Sequence, residues 1–227
     1  MTADQLKTAL ENPKRLVKDN LLDKDECLNL ARALMTECWI RKGTQHYWIT
    51  DLEFYIYTDD HRDIITYPRE CPAGTWFFHD SGVDIAFESK VGGYGTHSRN
   101  KKCLPILTED SIFGGILIRG IEPEEPLQLP EGAIVKLDGP KKACFHLFDQ
   151  FSAIAQDDSI RRLEPSTVKK EIVMPEPIAR EGFPETAEDK VKSILSNYSA
   201  SYLTQEELIP EYRQYFGAKY HYTLYSK

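Results

Sequence analysis

The chain has 227 residues, of which 41% are hydrophobic and 28% are charged, and its formal net charge is −8 at pH 7. This length and apolar content are sufficient for one substantial core, so we expect a single domain over residues 1–227. The negative charge argues against a strong general binder of nucleic acid, because phosphate binding requires a basic surface, although a local basic patch can override the net value.

Neither a membrane anchor nor a metal site is indicated. No apolar run approaches the ~20 residues needed to cross a bilayer, and the polar segment from Met1 to Lys18 lacks the apolar centre of a secretion signal. The five cysteines are scattered, without a C-x-x-C pair, at Cys27, Cys38, Cys71, Cys103 and Cys144. An odd count without metal-ligand spacing is typical of reduced thiols, so we expect a cytoplasmic protein.

The first predicted elements are a helix that runs into a strand between Asp23 and Ile40. The apolar residues that share one face of this helix are Leu28, Ala31, Leu34 and Met35. Aspartate side chains at the start of the segment can cap the helix. The strand that begins at Trp39 is predicted to pair with Tyr47 to Tyr57 across a turn near Gly43.

Later elements follow from local patterns. We expect a hairpin of Thr75 to Phe78 and Val83 to Phe87 around the turn Asp80 to Gly82, then a buried strand from Ile112 to Glu122 with a bulge at Gly114-Gly115. Helices are predicted for Lys141 to Ile154, with Pro140 in the first turn, and for Thr186 to Tyr198. Residues 59–72 are predicted to form a loop or short helix and residues 164–184 an extended segment, and the tyrosine-rich tail is ambiguous.

One strand carries a candidate site. Ile49 to Tyr57 is rich in β-branched and aromatic residues, with Glu53 in its middle and Tyr55 two residues later. Side chains two residues apart project from the same face of a strand, so an acid and a flat stacking surface are expected side by side. The alternative is an ordinary solvated strand face.

Five separated segments together resemble the alkyladenine (3-methyladenine) DNA glycosylase family. They are Leu30 to Leu34, Asp51 to Tyr55 (D-L-E-F-Y, against E-T-E-A-Y), Pro72 to Thr75 (P-A-G-T, against P-G-T), Ile116 to Pro123 (I-L-I-R-G-I-E-P, against V-L-L-R-A-L-E-P) and Gly139 to Cys144 (G-P-K-K-A-C, against G-P-x-K-L-C). They occur in the family's order and span roughly residues 25–155, whereas the last third of the chain matches poorly.

The resemblance implies an α/β (mixed α+β) fold: a single domain with a curved antiparallel β-sheet surrounded by helices. It implies a monofunctional hydrolase of base excision repair that flips a damaged purine out of duplex DNA and cleaves its N-glycosidic bond. No metal or cofactor is implied, and we expect a monomer. Extrusion is physically necessary because a duplex buries the target atoms.

The resemblance also assigns roles to individual residues. Glu53 matches the general base, which activates water and stabilises an oxocarbenium-like sugar. Tyr55 matches a residue that stacks on the flipped base, and Arg119 matches an arginine beside the catalytic water. A purely structural Glu53–Arg119 ion pair would explain two of these residues without chemistry.

Four positions depart from the family pattern or are less securely matched. His61 stands in a shortened loop after the catalytic strand, where the family has a histidine that contacts DNA and base, although an exposed loop histidine is the alternative. His79 falls where the family has a base-stacking aromatic, although a core or turn histidine is the alternative. The turn Asp80-Ser81 lacks the family's intercalating tyrosine, and Glu88 stands near an asparagine that rejects normal purines. Because a glutamate accepts a hydrogen bond from an amine, the choice of substrate is expected to differ.

A glycine-rich excursion from Lys90 to Ser111 is a candidate replacement for the missing intercalator. Tyr94 lies among glycines in it, and the basic residues assigned to DNA phosphates are Arg99, Lys101, Lys102 and Lys142. Solvated charged faces are the alternative for the basic residues. If the compensation is absent, the chain is expected to hydrolyse free nucleosides, nucleotides or single strands, or to bind a modified base without cleaving it.

Overall fold

The secondary structure of this computed structural model is described for residues 1–96, 103–127, 137–150, 161–168, 170, 174–180 and 186–224. Its α-helices are α1 (Ala3–Glu11), α2 (Lys24–Thr36), α3 (Pro140–Leu147), α4 (Ala187–Leu195) and α5 (Gln205–Phe216). The first seven strands are β1 (Val17–Lys18), β2 (Leu21–Leu22), β3 (Cys38–Lys42), β4 (Gln45–Thr58), β5 (His61–Arg62), β6 (Trp76–His79) and β7 (Gly82–Ala86). The others are β8 (Tyr94–Thr96), β9 (Cys103–Leu107), β10 (Phe113–Pro123), β11 (Arg162–Pro165), β12 (Glu176–Ile178), β13 (Ala200–Ser201) and β14 (His221–Thr223).

A nine-stranded sheet forms the centre of the described structure. Its main path runs in the order β11-β3-β4-β10-β7-β6, and β5 and β14 also pair with β4 while β12 pairs with β14. Every pairing within this sheet is antiparallel. The predicted mixed α/β architecture with a mainly antiparallel sheet is therefore confirmed.

Strand β4 shows why the two faces of the sheet differ. Leu52, Phe54 and Ile56 are fully buried on one face, in the cluster that includes residues of α1 and α2. The alternate residues Glu53, Tyr55 and Tyr57 must project from the other face, because successive strand residues point to opposite sides. An apolar core therefore occupies one face, and the polar residues of this strand are directed to the other.

The second face has its own covering layer. A separate cluster joins Tyr57 and Phe113 of the sheet to residues of α4 and α5. Val91 and Leu107 belong to the same cluster, and Leu107 ends a strand of the small sheet β13-β9-β8. Because Tyr57 and Glu53 share a face, this layer lies on the same side of the large sheet as Glu53.

Several predicted elements are confirmed. Helix α2 is capped by the Asp23 side chain, which accepts hydrogen bonds from two backbone amides, and β3 pairs with β4 across a turn at Gly43. The hairpin of β6 and β7 has Asp80 and Ser81 as its connecting residues. Helix α4 lies within the segment predicted to be helical, and Pro140 stands in the first turn of α3.

The predicted bulge at Gly114-Gly115 is wrong. Both residues stay in register with β4, and the register instead shifts around Gly120. The two glycines allow neighbouring groups to approach the backbone of β10 closely. A Cβ at Gly114 would lie 2.2 Å from the carbonyl oxygen of Tyr55, and one at Gly115 would lie 2.9 Å from Arg69 Nη1. The shift near Gly120 leaves Arg119 without a partner residue in the ladder.

Helix boundaries also differ from the prediction. Helix α3 ends at Leu147, well before Ile154, and residues 151–154 lie outside the described residues. Helix α1 was not predicted, although Thr2 and Gln5 form a capping box, which is a readable start signal. The ambiguous tail supplies α5 and β14.

All five cysteines are free thiols, as the sequence indicated. Among the described residues, no helix is both long enough and apolar enough to cross a membrane.

Replacing Gly114 with alanine tests the close approach of β10 to β4. The added Cβ would also lie 3.0 Å from Ile56 Cα, so the two central strands must separate. We expect a loss of at least about 1–3 kcal/mol in the free energy of unfolding, measured with urea. The control is Gly217→Ala, whose Cβ would meet nothing within 4 Å and whose φ is −89°. Equal unfolding midpoints for the two variants would contradict this packing.

Candidate functional site

A row of paired residues crosses the sheet at the level of Glu53. Strand pairing places Phe77 opposite Asp84, Asp84 opposite Leu117, Leu117 opposite Glu53, and Glu53 opposite His221. Residues opposite each other in antiparallel strands project from the same face. Register alone therefore brings two carboxylates and a histidine from three separate parts of the chain to one face.

Glu53 is held by two arginines. Its side chain is only 1% exposed, and Arg119 Nη1 donates to Oε2 at 2.7 Å. The other carboxylate oxygen lies 3.1 Å from Nε of Arg180. A buried carboxylate is costly unless it is paired, so these contacts stabilise Glu53 in a fixed position.

Arg180 is the more deeply buried of the two arginines, with no exposed side-chain surface. Its Nη2 lies 2.7 Å from Asp63 Oδ2 and donates to the Phe54 carbonyl at 2.6 Å. The guanidinium carbon lies 4.5 Å from the ring centre of Tyr55 and 4.8 Å from that of Tyr220. Burial lowers the pKa of Arg180, but Asp63 and Glu53 outweigh it and the net shift is upward, so the group stays charged.

A histidine–aspartate pair adjoins this network. His221 is fully buried, and its Nε2 contacts Oδ1 of Asp51. Its Nδ1 has no hydrogen-bond partner among the residues described. Asp51 Oδ1 also lies 3.9 Å from Nε of Arg119. The polar face thus joins the carboxylates of β4 to the C-terminal strand β14.

A cavity of about 240 Å³ opens beside Glu53. Its aromatic walls come from Tyr55, Tyr67 and His79, and Leu117 and Asp84 of the cross-sheet row also line it. Glu53 does not line the cavity itself, but its strand neighbour Tyr55 and its row neighbour Leu117 do. Burial raises the pKa of the Tyr55 phenol, and the charge of Glu53 raises it further, so the phenol stays protonated.

A second buried ion pair lies in the cavity wall. Arg69 Nη1 lies 2.7 Å from Asp84 Oδ2, and His79 Nε2 lies 2.9 Å from Asp84 Oδ1. The backbone amide of Ser81 donates to His79 Nδ1 at 3.2 Å. Nδ1 therefore accepts and Nε2 carries the proton that is donated to Asp84. The His79 ring is 4.6 Å from that of Tyr67, so the ring is fixed on two sides.

Two of the proposed substrate-binding residues, Tyr55 and His79, are brought together in this cavity. His61 is not, which corrects its predicted place: it is fully buried, its Nδ1 bonds the Asn20 carbonyl at 3.0 Å, and its ring lies 4.3 Å from Tyr215. Burial lowers the pKa of His61, which favours the neutral ring. The position of this histidine is that of a core residue.

Glu88 also lies elsewhere than expected. It is exposed, it accepts a hydrogen bond from the Ala73 amide at 2.8 Å, and it does not line the cavity. The carboxylate in the cavity wall is Asp84, four residues earlier on the chain. Strand β7 ends at Ala86, so the alternation of faces along this strand does not extend to Glu88.

The proposed DNA-contacting residues are only partly described. Tyr94 is 49% exposed on β8, within the small sheet on the same side as Glu53. Arg99, Lys101 and Lys102 lie outside the described residues. Lys142 is half exposed on α3, where its Nζ lies 3.7 Å from Asp138.

Sequence reasoning missed Arg69, Asp84, Arg180 and His221. The Arg180 segment matched nothing in the resemblance, and no local pattern distinguishes a buried arginine from an exposed one. Asp84 offered one signal, since it is a lone charge inside the apolar strand Val83 to Phe87. Within the described residues no group of three or more metal-binding side chains occurs.

Comparisons with known proteins give little information about function. No family model matches the chain, and no solved structure matches it. It is similar to "Uncharacterized protein L759" of Acanthamoeba polyphaga mimivirus, with 23% identity in an alignment of 150 positions that covers 60% of this chain. The match spans 63% of that viral protein's length.

Replacing Arg180 with methionine tests the central ion-pair network. The variant leaves Glu53 and Asp63 without their shared buried partner, so we expect a loss of about 3–5 kcal/mol in the free energy of unfolding. The control is Arg213→Met, because Arg213 is 62% exposed and pairs with Glu188 on the surface. Its loss is expected to stay below about 1 kcal/mol. Similar losses in the two variants, measured by urea unfolding, would contradict a structural role for Arg180.

Proposed function

We propose that the protein is a purine N-glycosylase that releases damaged or modified bases from DNA after flipping them into the cavity beside Glu53. The observation that carries this proposal is the position of an aromatic cavity beside the buried Glu53–Arg119 pair: Tyr55, two residues from Glu53 on the same strand, and Leu117, opposite Glu53, both line the cavity. Such a site holds a planar ring next to a fixed negative charge. The resemblance in sequence supports the same reaction.

The cavity is suited to a small planar ligand. Its volume of about 240 Å³ is below the range of about 300–1,000 Å³ typical of sites for drug-sized molecules. Stacking on an aromatic side chain is worth about 1–3 kcal/mol per base, and Tyr55, Tyr67 and His79 offer such rings. Only an extruded or unpaired base can enter so narrow a site.

Glu53 would act on the sugar of the flipped nucleotide. When the base departs, the sugar develops positive charge, which a fixed carboxylate stabilises while it accepts a proton from the attacking water. The reaction consumes one water: its oxygen bonds to C1′ of the sugar, and the departing base takes up a proton. Arg119 holds Oε2 of Glu53 and is itself partly exposed, so it lies between the carboxylate and solvent.

A second candidate is the same reaction on a free nucleoside, nucleotide or single strand. The turn of β6 and β7 favours it, because Ser81 lines the cavity and the adjacent Asp80 places a carboxylate where the phosphates of a duplex would approach. The net charge of −8 acts in the same direction. Tyr94 instead favours duplex DNA as the substrate, because it is an exposed aromatic on the same side of the sheet as Glu53.

One excision assay separates these candidates. Duplexes and single strands carrying 3-methyladenine, 7-methylguanine, hypoxanthine or ethenoadenine are incubated with the protein, and released base is quantified by chromatography. Release from duplexes supports the first proposal, and release only from single strands or nucleosides supports the second. Binding of a base without release from any substrate would indicate a non-catalytic module, which the sealed position of Glu53 would explain.

Replacing Glu53 with glutamine is expected to reduce base release by at least about 100-fold, because the general base and the negative charge are both lost. The control is Glu211→Gln, which removes a less deeply buried glutamate that, like Glu53, is ion-paired, in this case to Arg62 at 2.6 Å. Melting curves for both variants establish that each is folded at the assay temperature. Wild-type excision by folded Glu53→Gln protein would exclude Glu53 as the general base.

A further inference from the structure

The cavity contains polar atoms that nothing in the described structure satisfies. Nη2 of Arg69, Oγ1 of Thr66 and Oη of Tyr198 all lack hydrogen-bond partners among the described residues. These three residues line the cavity and are 3%, 1% and 6% exposed, respectively. Buried polar groups are normally bonded, so these atoms mark positions that a ligand or its bound water would fill.

Arg69 has a fixed hydrogen-bonding polarity, whereas the two hydroxyls do not. A guanidinium only donates, but a hydroxyl can donate or accept. Nε of Arg69 donates to the Tyr67 carbonyl at 3.0 Å, and Nη1, although it makes no hydrogen bond among the described residues, is ion-paired with Asp84 at 2.7 Å. Its guanidinium carbon lies 3.8 Å from the ring centre of Phe77, which fixes the plane of the group. The free arm therefore requires an acceptor on the ligand.

The charge of Arg69 indicates what kind of acceptor fits. Asp84 neutralises it at close range, and the second oxygen of Asp84 is bound by His79. Lys190 also lines the cavity but is exposed to solvent, so the buried cluster of Arg69, Asp84 and His79 has no excess positive charge to offset a buried phosphate or carboxylate. A neutral carbonyl oxygen satisfies the free Nη2 donor without adding a buried charge.

We propose that Arg69 makes this cavity selective for purines with a carbonyl group at C6, such as hypoxanthine or an alkylated guanine, over purines with an amino group at C6. With C6 of the base facing Nη2 of Arg69, a 6-oxopurine presents its O6 acceptor, whereas adenine presents the N6 amino donor. Donor facing donor would leave both groups unpaired in a buried site. This inference rests on the proposed function in taking the cavity as a base-binding site.

The test compares two nucleosides that differ at C6 and in the accompanying N1 proton. Deoxyinosine and deoxyadenosine are titrated into the full-length protein by calorimetry. A hydrogen bond from a charged donor predicts that deoxyinosine binds about 10- to 100-fold more tightly. Equal affinities, a preference for deoxyadenosine, or no binding of either nucleoside up to about 10 mM would overturn the inference.

Two variants test whether a preference for deoxyinosine over deoxyadenosine comes from Arg69. Arg69→Lys keeps a cation beside Asp84 but removes the second donor arm, so the preference should fall below about 3-fold in protein that its melting curve shows to be folded. Tyr198→Phe removes a hydroxyl of adaptable polarity, so both affinities should change together and their ratio should persist. If Arg69→Lys does not fold, Tyr198→Phe alone still tests the inference. Loss of the preference for deoxyinosine over deoxyadenosine in Tyr198→Phe would assign that preference to Tyr198 and overturn the role of Arg69.

Nucleoside binding requires no bond cleavage, so this test is independent of the excision assay. A preference for deoxyinosine without any excision would retain the role of Arg69 and reject the glycosylase. Excision of 3-methyladenine and hypoxanthine at equal rates, together with equal nucleoside affinities, would retain the glycosylase and reject selection by Arg69.

Discussion

The buried guanidinium of Arg180 is the constraint on which the polar half of this structure depends. A charge that is removed from water must be neutralised and hydrogen-bonded, and Glu53, Asp63 and the Phe54 carbonyl together meet this requirement. These partners come from the central strand and the loop after it, whereas Arg180 follows β12 near the end of the chain. The ion pairs therefore attach the C-terminal segment to the middle of the sheet, where β14 also pairs with β4.

The same constraint explains why the site occurs on one face of the sheet. Leu52, Phe54 and Ile56 fill one face with apolar side chains, so charged residues in β4 can lie only on the other. There the clusters around Glu53 and Asp84 are separated by a single row position, Leu117. Helix α4 and the loop that precedes Arg69 close over this face without filling it, and the unfilled space is the aromatic cavity. A fixed carboxylate beside a small stacking site is the physical basis of the proposed glycosylase.

The two buried arginine–carboxylate clusters differ in whether their charged side chains line the cavity. In the Glu53 cluster both carboxylate oxygens are held by arginines and the carboxylate does not line the cavity. In the Asp84 cluster, by contrast, Arg69 lines the cavity and keeps one donor free. In the proposed reaction, the Glu53 cluster would act at the sugar and the Asp84 cluster would recognise the base.

The elements that the sequence predicted well are those with local signals. Helix α2 has an apolar face and the cap Asp23, and the β6–β7 hairpin has a turn sequence, so short windows contain the information. The bulge was misplaced because glycine pairs mark close approach as well as bulges, and only the partner strand distinguishes the two uses.

The site was less predictable than the fold. Glu53 and Arg119 were singled out through the family resemblance, and their contact at 2.7 Å is the ion pair that was the structural alternative to a catalytic role. Arg69, Arg180 and His221 could not be anticipated, since their burial depends on contacts with residues far away in the chain. His61 was misplaced for the same reason: the tyrosines that bury it, Tyr215 and Tyr220, lie in a tail whose structure the sequence left open.

The most direct test of the central claim is the position of a bound nucleotide. A crystal structure would be determined with an oligonucleotide that carries hypoxanthine on a 2′-fluorinated sugar, since the fluorine disfavours positive charge on the sugar and slows cleavage. We predict that the base occupies the cavity beside Tyr55 and that C1′ is within reach of Glu53, with at most one intervening water, at hydrogen-bond distances of about 2.6–3.2 Å. A base bound elsewhere, or a sugar separated from Glu53 by the ring of Tyr55, would contradict the account.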